Sequence, residues 1–217
     1  MLLDYIKKQI AKLTEEQSAA VIEAVEAAED KTSAEFVVSL VPHSGQYRDV
    51  DLAFASVVAL VVLGVQVFNP WWIVPAASLP MDALLAFAAS WLVCARVHCV
   101  RRFLVGGERQ SQQVRAEAEL QFYREGVRAT RARTGVLVLY SQMERRIEVV
   151  ADDGVMREVD KEEWEAKLTA MQSLARTDDH GAAIATAVEQ LGDFLAVILP
   201  VSEDDIDELA NRPRTRE

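Results

Sequence analysis

The chain has 217 residues, 34 of them Asp or Glu and 23 Lys or Arg, for a net charge of -11. That balance argues against nucleic acid as a partner, because phosphate binding needs a concentrated basic face and none of sufficient size occurs. Outside one long apolar stretch there remain about 50 residues before it and about 115 after it, enough for one ordinary α/β domain and not for two.

Nothing at the start reads as a secretory signal. Leu3, Ile6, Ile10 and Leu13 recur at helical spacing with Lys7, Lys8 and Lys12 between them. This suits a short basic helix on a membrane surface, a helix packed on the domain or a frayed tail, the last two being the plainer readings. Thr14 and Gln17 then form a capping box, and Val21, Val25 and Ala28 lie on one face of a helix predicted to run to about Asp30. Thr32 and Ser33 turn the chain into Ala34 to Val41, whose near-continuous apolar run suits a strand buried on both faces. Pro42, His43, Ser44 and Gly45 end it.

Leu52 to Phe68 carries no charge. As a helix these roughly 17 residues span about 25 Å, close to the ~30 Å hydrocarbon core once Trp71 and Trp72 sit at the interface. A second apolar stretch runs to Ala95, and the pair predicts a transmembrane hairpin. Arg48, Arg96, Arg101 and Arg102 flank it, while residues 69–80 contain no Lys or Arg, so both termini are expected in the cytoplasm. Asp82 is the carboxylate inside this region. Pro75 and Pro80 are expected to break the helix before it, which would let Asp82 cap the second span in the far interface. Cys94 and Cys99 fall on different sides of a helix and are not expected to pair. Gly64 with Ala59 and Ser56 offers a close-packing stripe, the basis of an alternative in which the hairpin forms an oligomer or small channel.

Val114, Ala118 and Phe122 follow along one side of a polar helix that Gly126 can close. Gly135 to Tyr140 and Arg145 to Val150 read as strands joined so briefly that they must form an antiparallel hairpin. Asp160 with Glu163 starts a helix carrying Trp164, Leu168 and Met171, Trp164 being expected in the core. Asp178 or Asp179 starts another helix with Ile184, Val188, Leu191 and Leu195, which Pro200 stops. Residues 1–50 and 101–200 are thus expected to be a split cytoplasmic α/β domain, 51–100 the hairpin, and 201–217 an acidic then arginine-rich flexible tail.

A right-handed crossover would make the first two strands parallel, so Glu35 and Gly135 would begin at the same end and the third strand would return there. That gathers Glu35, Arg133, Thr134, Asp152 and Asp153 on one rim. Glu35, Asp152 and Asp153 are candidate ligands for a divalent cation such as calcium or magnesium, with Arg133 and Thr134 as candidate anion-binding residues. The plainer reading is that adjacent carboxylates at a strand end form a turn and that Glu35 pairs with an arginine. His43, His98 and His180 do not converge, and no Ser/His/Asp set or phosphate-cradling glycine loop occurs.

Several residues in order carry a resemblance: Leu13 and Thr14 opening the first helix; Glu29, Thr32, Ala34 and Glu35 entering the first strand; Thr130, Arg133, Thr134, Gly135 and Val136 entering the second; then Glu144 and Arg145, Asp152, Gly154 and Trp164. This pattern, spanning nearly the whole chain to Pro200, resembles the TPM-domain family, in its bacterial membrane branch with two spans inserted in the domain. The resemblance implies an α/β fold, a small mixed sheet sandwiched by helices and interrupted by a two-helix transmembrane hairpin. Some secreted or thylakoid relatives are described as calcium-binding and as weak acid phosphatases linked to photosystem repair. Their glycine-rich stretch after the third strand reads here as Ala151, Asp152, Asp153, Gly154 and Val155, a departure that bears on both properties. The expectation is an integral two-span protein of the bacterial cytoplasmic membrane, a binding or adaptor module with a protein partner and a candidate divalent-cation site. The alternative is a metal-assisted phosphatase, which would lose turnover when Asp152 or Glu35 becomes alanine.

Overall fold

The computed structural model describes residues 13–69, 71, 74–201 and 214–215. The amphipathic segment 1–12, Trp72 and the tail other than Val201, Arg214 and Thr215 lie outside the described residues. In chain order the elements are α1 (Glu15–Glu29), β1 (Glu35–Val41), α2 (Arg48–Phe68), α3 (Leu79–Arg96), α4 (His98–Leu104), α5 (Gly107–Arg124), β2 (Gly135–Ser141), β3 (Arg146–Ala151), α6 (Asp153–Glu158), α7 (Lys161–Met171), α8 (His180–Ile198) and β4 (Arg214–Thr215). They form two compact units, one of Met1–Gly45 with Gln110–Glu217 and one of Gln46–Arg109.

The first unit is a mixed α/β sandwich. Its sheet has the order β3-β2-β1-β4. β1 runs parallel to β2 with Glu35 opposite Gly135, and β3 is antiparallel to β2. All seven residues of β1 are buried, because its alternating side chains face two different helical layers. Phe36, Val38 and Leu40 join Val136, Val138 and Tyr140 against α1, α7 and α8, with Trp164 in the same core. On the other face Val37 and Leu137 meet Phe122 and Val127, while Val41 and Leu139 meet Val114 and Ala118 of α5. α1 starts on the capping box, Thr14 Oγ1 accepting from Gln17 N at 3.2 Å and Gln17 Oε1 from Thr14 N at 3.1 Å. The end of α8 is tied to the turn after α1. There Thr32 Oγ1 donates to the Leu199 carbonyl at 2.6 Å and Ser33 Oγ to that of Pro200 at 2.9 Å.

The second unit is a helical hairpin. Gln66 Nε2 donates to Asp82 Oδ2 at 2.9 Å at one end, and Cys94 Sγ to Asp51 Oδ1 at 3.3 Å at the other, which makes α2 and α3 antiparallel. Asp82 does not cap the second helix. Pro80 sits in the first turn, where its missing N–H costs nothing, so the helix already starts at Leu79 and Asp82 lies inside it. α4, which lacks a legible start in sequence, brings Arg101 onto the buried Asp51, with Nε 3.0 Å from Oδ1. Arg109 grips Asp49 at 2.7 and 2.9 Å and lies over the Tyr47 ring. Cys94 and Cys99 are both free.

By length and apolar composition α2, α3 and α8 are each long enough to cross a membrane. Their surroundings differ. Ile184, Val188, Leu191 and Leu195 of α8 are fully buried in the first unit's core, whereas Val57, Leu60 and Val61 of α2 and Leu84 and Leu85 of α3 are exposed.

Candidate functional site

The rim at the start of β1 and β2 is built by backbone first. Thr130 Oγ1 accepts from Thr134 N at 3.0 Å, and the Thr134 carbonyl accepts from Glu35 N at 3.2 Å, joining the two strand entries. β3 returns to the same end, where Asp152 N donates to the Gly135 carbonyl at 2.9 Å. Between these, Arg133 adopts a left-handed backbone with φ 57°, a conformation non-glycine residues rarely take. Its carbonyl accepts from Gly154 N at 2.9 Å. Gly154 is there because of this approach: a Cβ would lie 2.4 Å from the carbonyl oxygens of both Ala132 and Arg133.

Asp152 is the N-cap of α6, its Oδ1 accepting from Asp153 N at 2.7 Å. The same carboxylate receives Arg133, with Nη2 3.0 Å from Oδ1 and Nε 3.3 Å from Oδ2, and Arg128 Nε lies 3.8 Å away. Arg133 Nη2 is also 2.9 Å from Asp153 Oδ2, and Arg128 stands over the Tyr123 ring at 5.3 Å. Burial pushes the Asp152 carboxyl up, but the hydrogen bonds from Arg133 and the Asp153 N–H, with the charges of Arg133 and Arg128, outweigh it and hold it below the usual carboxylate range.

The sequence-predicted residues therefore share one rim, yet they do not act as one set. Arg133, Asp152 and Asp153 form a clasp, while Thr134 acts through its backbone and Glu35 is buried beside it. Among the described residues no group of three or more His, Cys, Asp and Glu is placed to hold a metal. Asp152 and Asp153, two of the three carboxylates read as candidate metal ligands, both touch the Arg133 guanidinium.

Two polar clusters escaped sequence reasoning. Glu144, 3% exposed, accepts from Ser44 N at 3.1 Å, from Gly45 N at 3.2 Å and from the Ser141 hydroxyl, to which Ser44 Oγ donates at 2.8 Å. Tyr140 Oη lies 2.8 Å from His180 Nδ1 and donates to the Ala175 carbonyl at 3.2 Å, while Arg145 reaches Asp178 at 2.6 Å. Burial, then the charge of Arg145, lowers the His180 pKa against the pull of Asp178 and Asp179. The adjacent Glu144 and Arg145 were the legible signal for both.

A model of the TPM domain matches residues 81–194, a stretch that runs from α3 to the last third of α8 and takes in the rim at Arg133 and Asp152. The chain belongs to the TPM-domain family. No curated protein matches it in sequence. Its fold is similar to the NMR structure of the BA42 protein from the psychrophilic bacterium Bizionia argentinensis, with a TM-score of 0.58 and 18% identity over 95% of this chain and 97% of that one. At that identity the likeness speaks for the TPM fold alone.

Proposed function

We propose that this TPM-domain protein is anchored in the bacterial cytoplasmic membrane by α2 and α3, and that its α/β unit works on the cytoplasmic side as a binding or adaptor module. The observation that carries this reading is the exposed apolar surface of α2 and α3, from Val57, Leu60 and Val61 to Leu84 and Leu85, with Trp71 at their junction. In water that surface is unfavourable; in lipid it is matched. The 21 residues of α2 rise about 32 Å and the 18 of α3 about 27 Å. Side-chain donors along them bond within the hairpin, Gln66 Nε2 to Asp82, Ser56 to the Leu52 carbonyl and Ser90 to that of Ala86, while Gln66 Oε1 is buried without a partner. Arg48, Arg96, Arg101 and Arg102 at the open end support a cytoplasmic location for both termini.

A binding role is favoured over metal-assisted phosphatase chemistry because Asp152, the carboxylate such chemistry would use, is committed to Arg133 and to capping α6. The test is a topology reporter fused after Trp72, with carbonate extraction of the membranes. The reporter is expected outside the cytoplasm and the protein in the pellet. A cytoplasmic reporter or a soluble protein overturns the anchoring, and metal-dependent phosphate-ester turnover lost in a folded Asp152→Asn variant overturns the adaptor reading.

A further inference from the structure

α4 is a short helix with two unlike flanks. Arg101 holds one side of it to α2, with Nε 3.0 Å from Oδ1 of Asp51, whose side chain is 3% exposed. A buried carboxylate that loses its guanidinium has no water to take its place, so this pair fixes which side of α4 faces the hairpin. At about 100° per residue, Val100, Phe103 and Leu104 then fall on one flank of that side, and His98 and Arg102 on the other. On the apolar flank Val100 is half-buried, Leu104 is exposed and Phe103 is 90% exposed. One exposed phenylalanine alone would be ordinary. Here it follows Trp91, Leu92 and Val93, exposed in the last turns of α3, across a single break at Val97.

We propose that α4 is an interfacial helix that lies in the cytoplasmic surface of the phospholipid bilayer, with Phe103 and Leu104 among the acyl chains and Arg102 toward the headgroups. The inference rests on the proposed anchoring of α2 and α3 and adds a separate contact with lipid. Lipid is the occupant that the surroundings favour. The apolar flank continues from a helix whose own exposed face is apolar, and Arg96 and Arg102 supply positive charge at the level where anionic headgroups attract it. Seven residues free in solution would not hold to a membrane. Tethered to α3 they already sit at its surface, so their association is intramolecular and one phenylalanine with one leucine is enough to orient them. With Arg101 clamped to Asp51, an embedded α4 fixes the depth at which the chain leaves the bilayer.

The experiment uses the full chain reconstituted in vesicles of phosphatidylcholine and phosphatidylglycerol. Cys94 is buried, so a Cys99→Ser background leaves each introduced cysteine as the site of labelling. Nitroxides are placed at Phe103→Cys, Leu104→Cys, Arg102→Cys and Leu60→Cys, and spin relaxation by oxygen, which concentrates among acyl chains, is compared with that by a water-soluble nickel chelate. The labels at 103 and 104 are expected to meet oxygen more often than the chelate, the label at 102 the reverse, and the label at 60 in α2 oxygen most of all. Leu104→Cys carries the reading if Phe103→Cys does not fold. Labels at 103 and 104 that favour the chelate while the label at 60 favours oxygen overturn the inference and leave the anchoring intact. Labels at 103 and 104 shielded from both reagents reveal a protein contact in place of lipid and overturn it as well, as does a label at 102 that favours oxygen equally. A label at 60 that favours the chelate overturns the anchoring, and the inference with it.

Discussion

Replacing Glu144 by alanine tests how much of the sandwich depends on one buried carboxylate. In the wild type it accepts three hydrogen bonds, from the N–H groups of Ser44 and Gly45 and from the Ser141 hydroxyl, across a sequence separation of 100 residues in the first case. Hydrogen bonds to a charged acceptor contribute roughly 1.5–3 kcal/mol each, and three do not add fully, so Glu144→Ala is expected to cost about 4 kcal/mol. Glu144→Gln keeps an acceptor for the two N–H groups. Its new N–H donors, however, face the Ser141 hydroxyl, which already accepts from Ser44 and is left with a proton and no acceptor, at about 1–2 kcal/mol. Adding Ser141→Ala to Glu144→Ala removes that orphan, so the double variant should lose less than the sum of the singles. Urea unfolding followed by far-UV circular dichroism gives the four values, the Ser141→Ala single included, and hydrogen exchange at the Ser44 and Gly45 amides locates the loss. The reasoning is refuted if Glu144→Ala costs less than about 1 kcal/mol, a single ordinary hydrogen bond, or if the glutamine and alanine variants are indistinguishable.

Millimolar calcium, magnesium or manganese is expected to leave the thermal midpoint unchanged in wild type and in Asp152→Ala; a selective rise in wild type that the variant loses would restore the cation reading of the rim. Gly154→Ala drives a Cβ to 2.4 Å from two backbone oxygens and should cost about 2–3 kcal/mol by urea unfolding, whereas an unchanged midpoint would show that α6 shifts freely. Because the His180 pKa is lowered in the folded state, the unfolded chain binds more protons just below the ordinary histidine value. Stability should therefore fall as pH drops through that value toward the folded-state pKa, and His180→Asn should remove that part of the slope. A slope unchanged in the variant assigns the pH dependence elsewhere.

What the sequence shows of this fold depends on how local the cause is. Thr14 with Gln17, Asp160 and Asp179 are caps whose partners lie within three residues; the first two begin their helices as read, and Asp179 is the one of the pair Asp178 and Asp179 that begins the last. β1 is legible because burial on both faces leaves a continuous apolar run, and its parallel pairing with β2 follows from the handedness of the connection. Short elements are not legible. α6 is too brief to show a period, so Asp152 reads as a strand exit when it is a helix cap, and β4 has two residues and no pattern. The Glu144 and Tyr140 clusters join residues far apart in the chain, and the same letters in sequence fit a solvated turn. Asp82 lies inside α3 and not at its cap because the first turn of a helix accepts a proline that breaks one elsewhere.

Each group of the rim already has a structural task. Asp152 takes the Asp153 N–H, carries Arg133 and joins β3 to β2 through its own backbone, all with its side chain 3% exposed. A carboxylate so committed cannot leave for a ligand without loosening the start of α6. What remains open to a partner is the outer part of the clasp: Asp153, 62% exposed, and the guanidinium groups of Arg133 and Arg128. Two cations against two carboxylates leave the clasp without net charge. A lone metal ion would face the guanidiniums and a lone phosphate would face Asp153, so each meets a like charge. A protein surface that offers an acid beside a base can satisfy both at once, exchanging the Arg133–Asp153 contact for two of its own. The balanced charge of the clasp therefore supports the proposed adaptor reading of the rim over the proposed metal-assisted one.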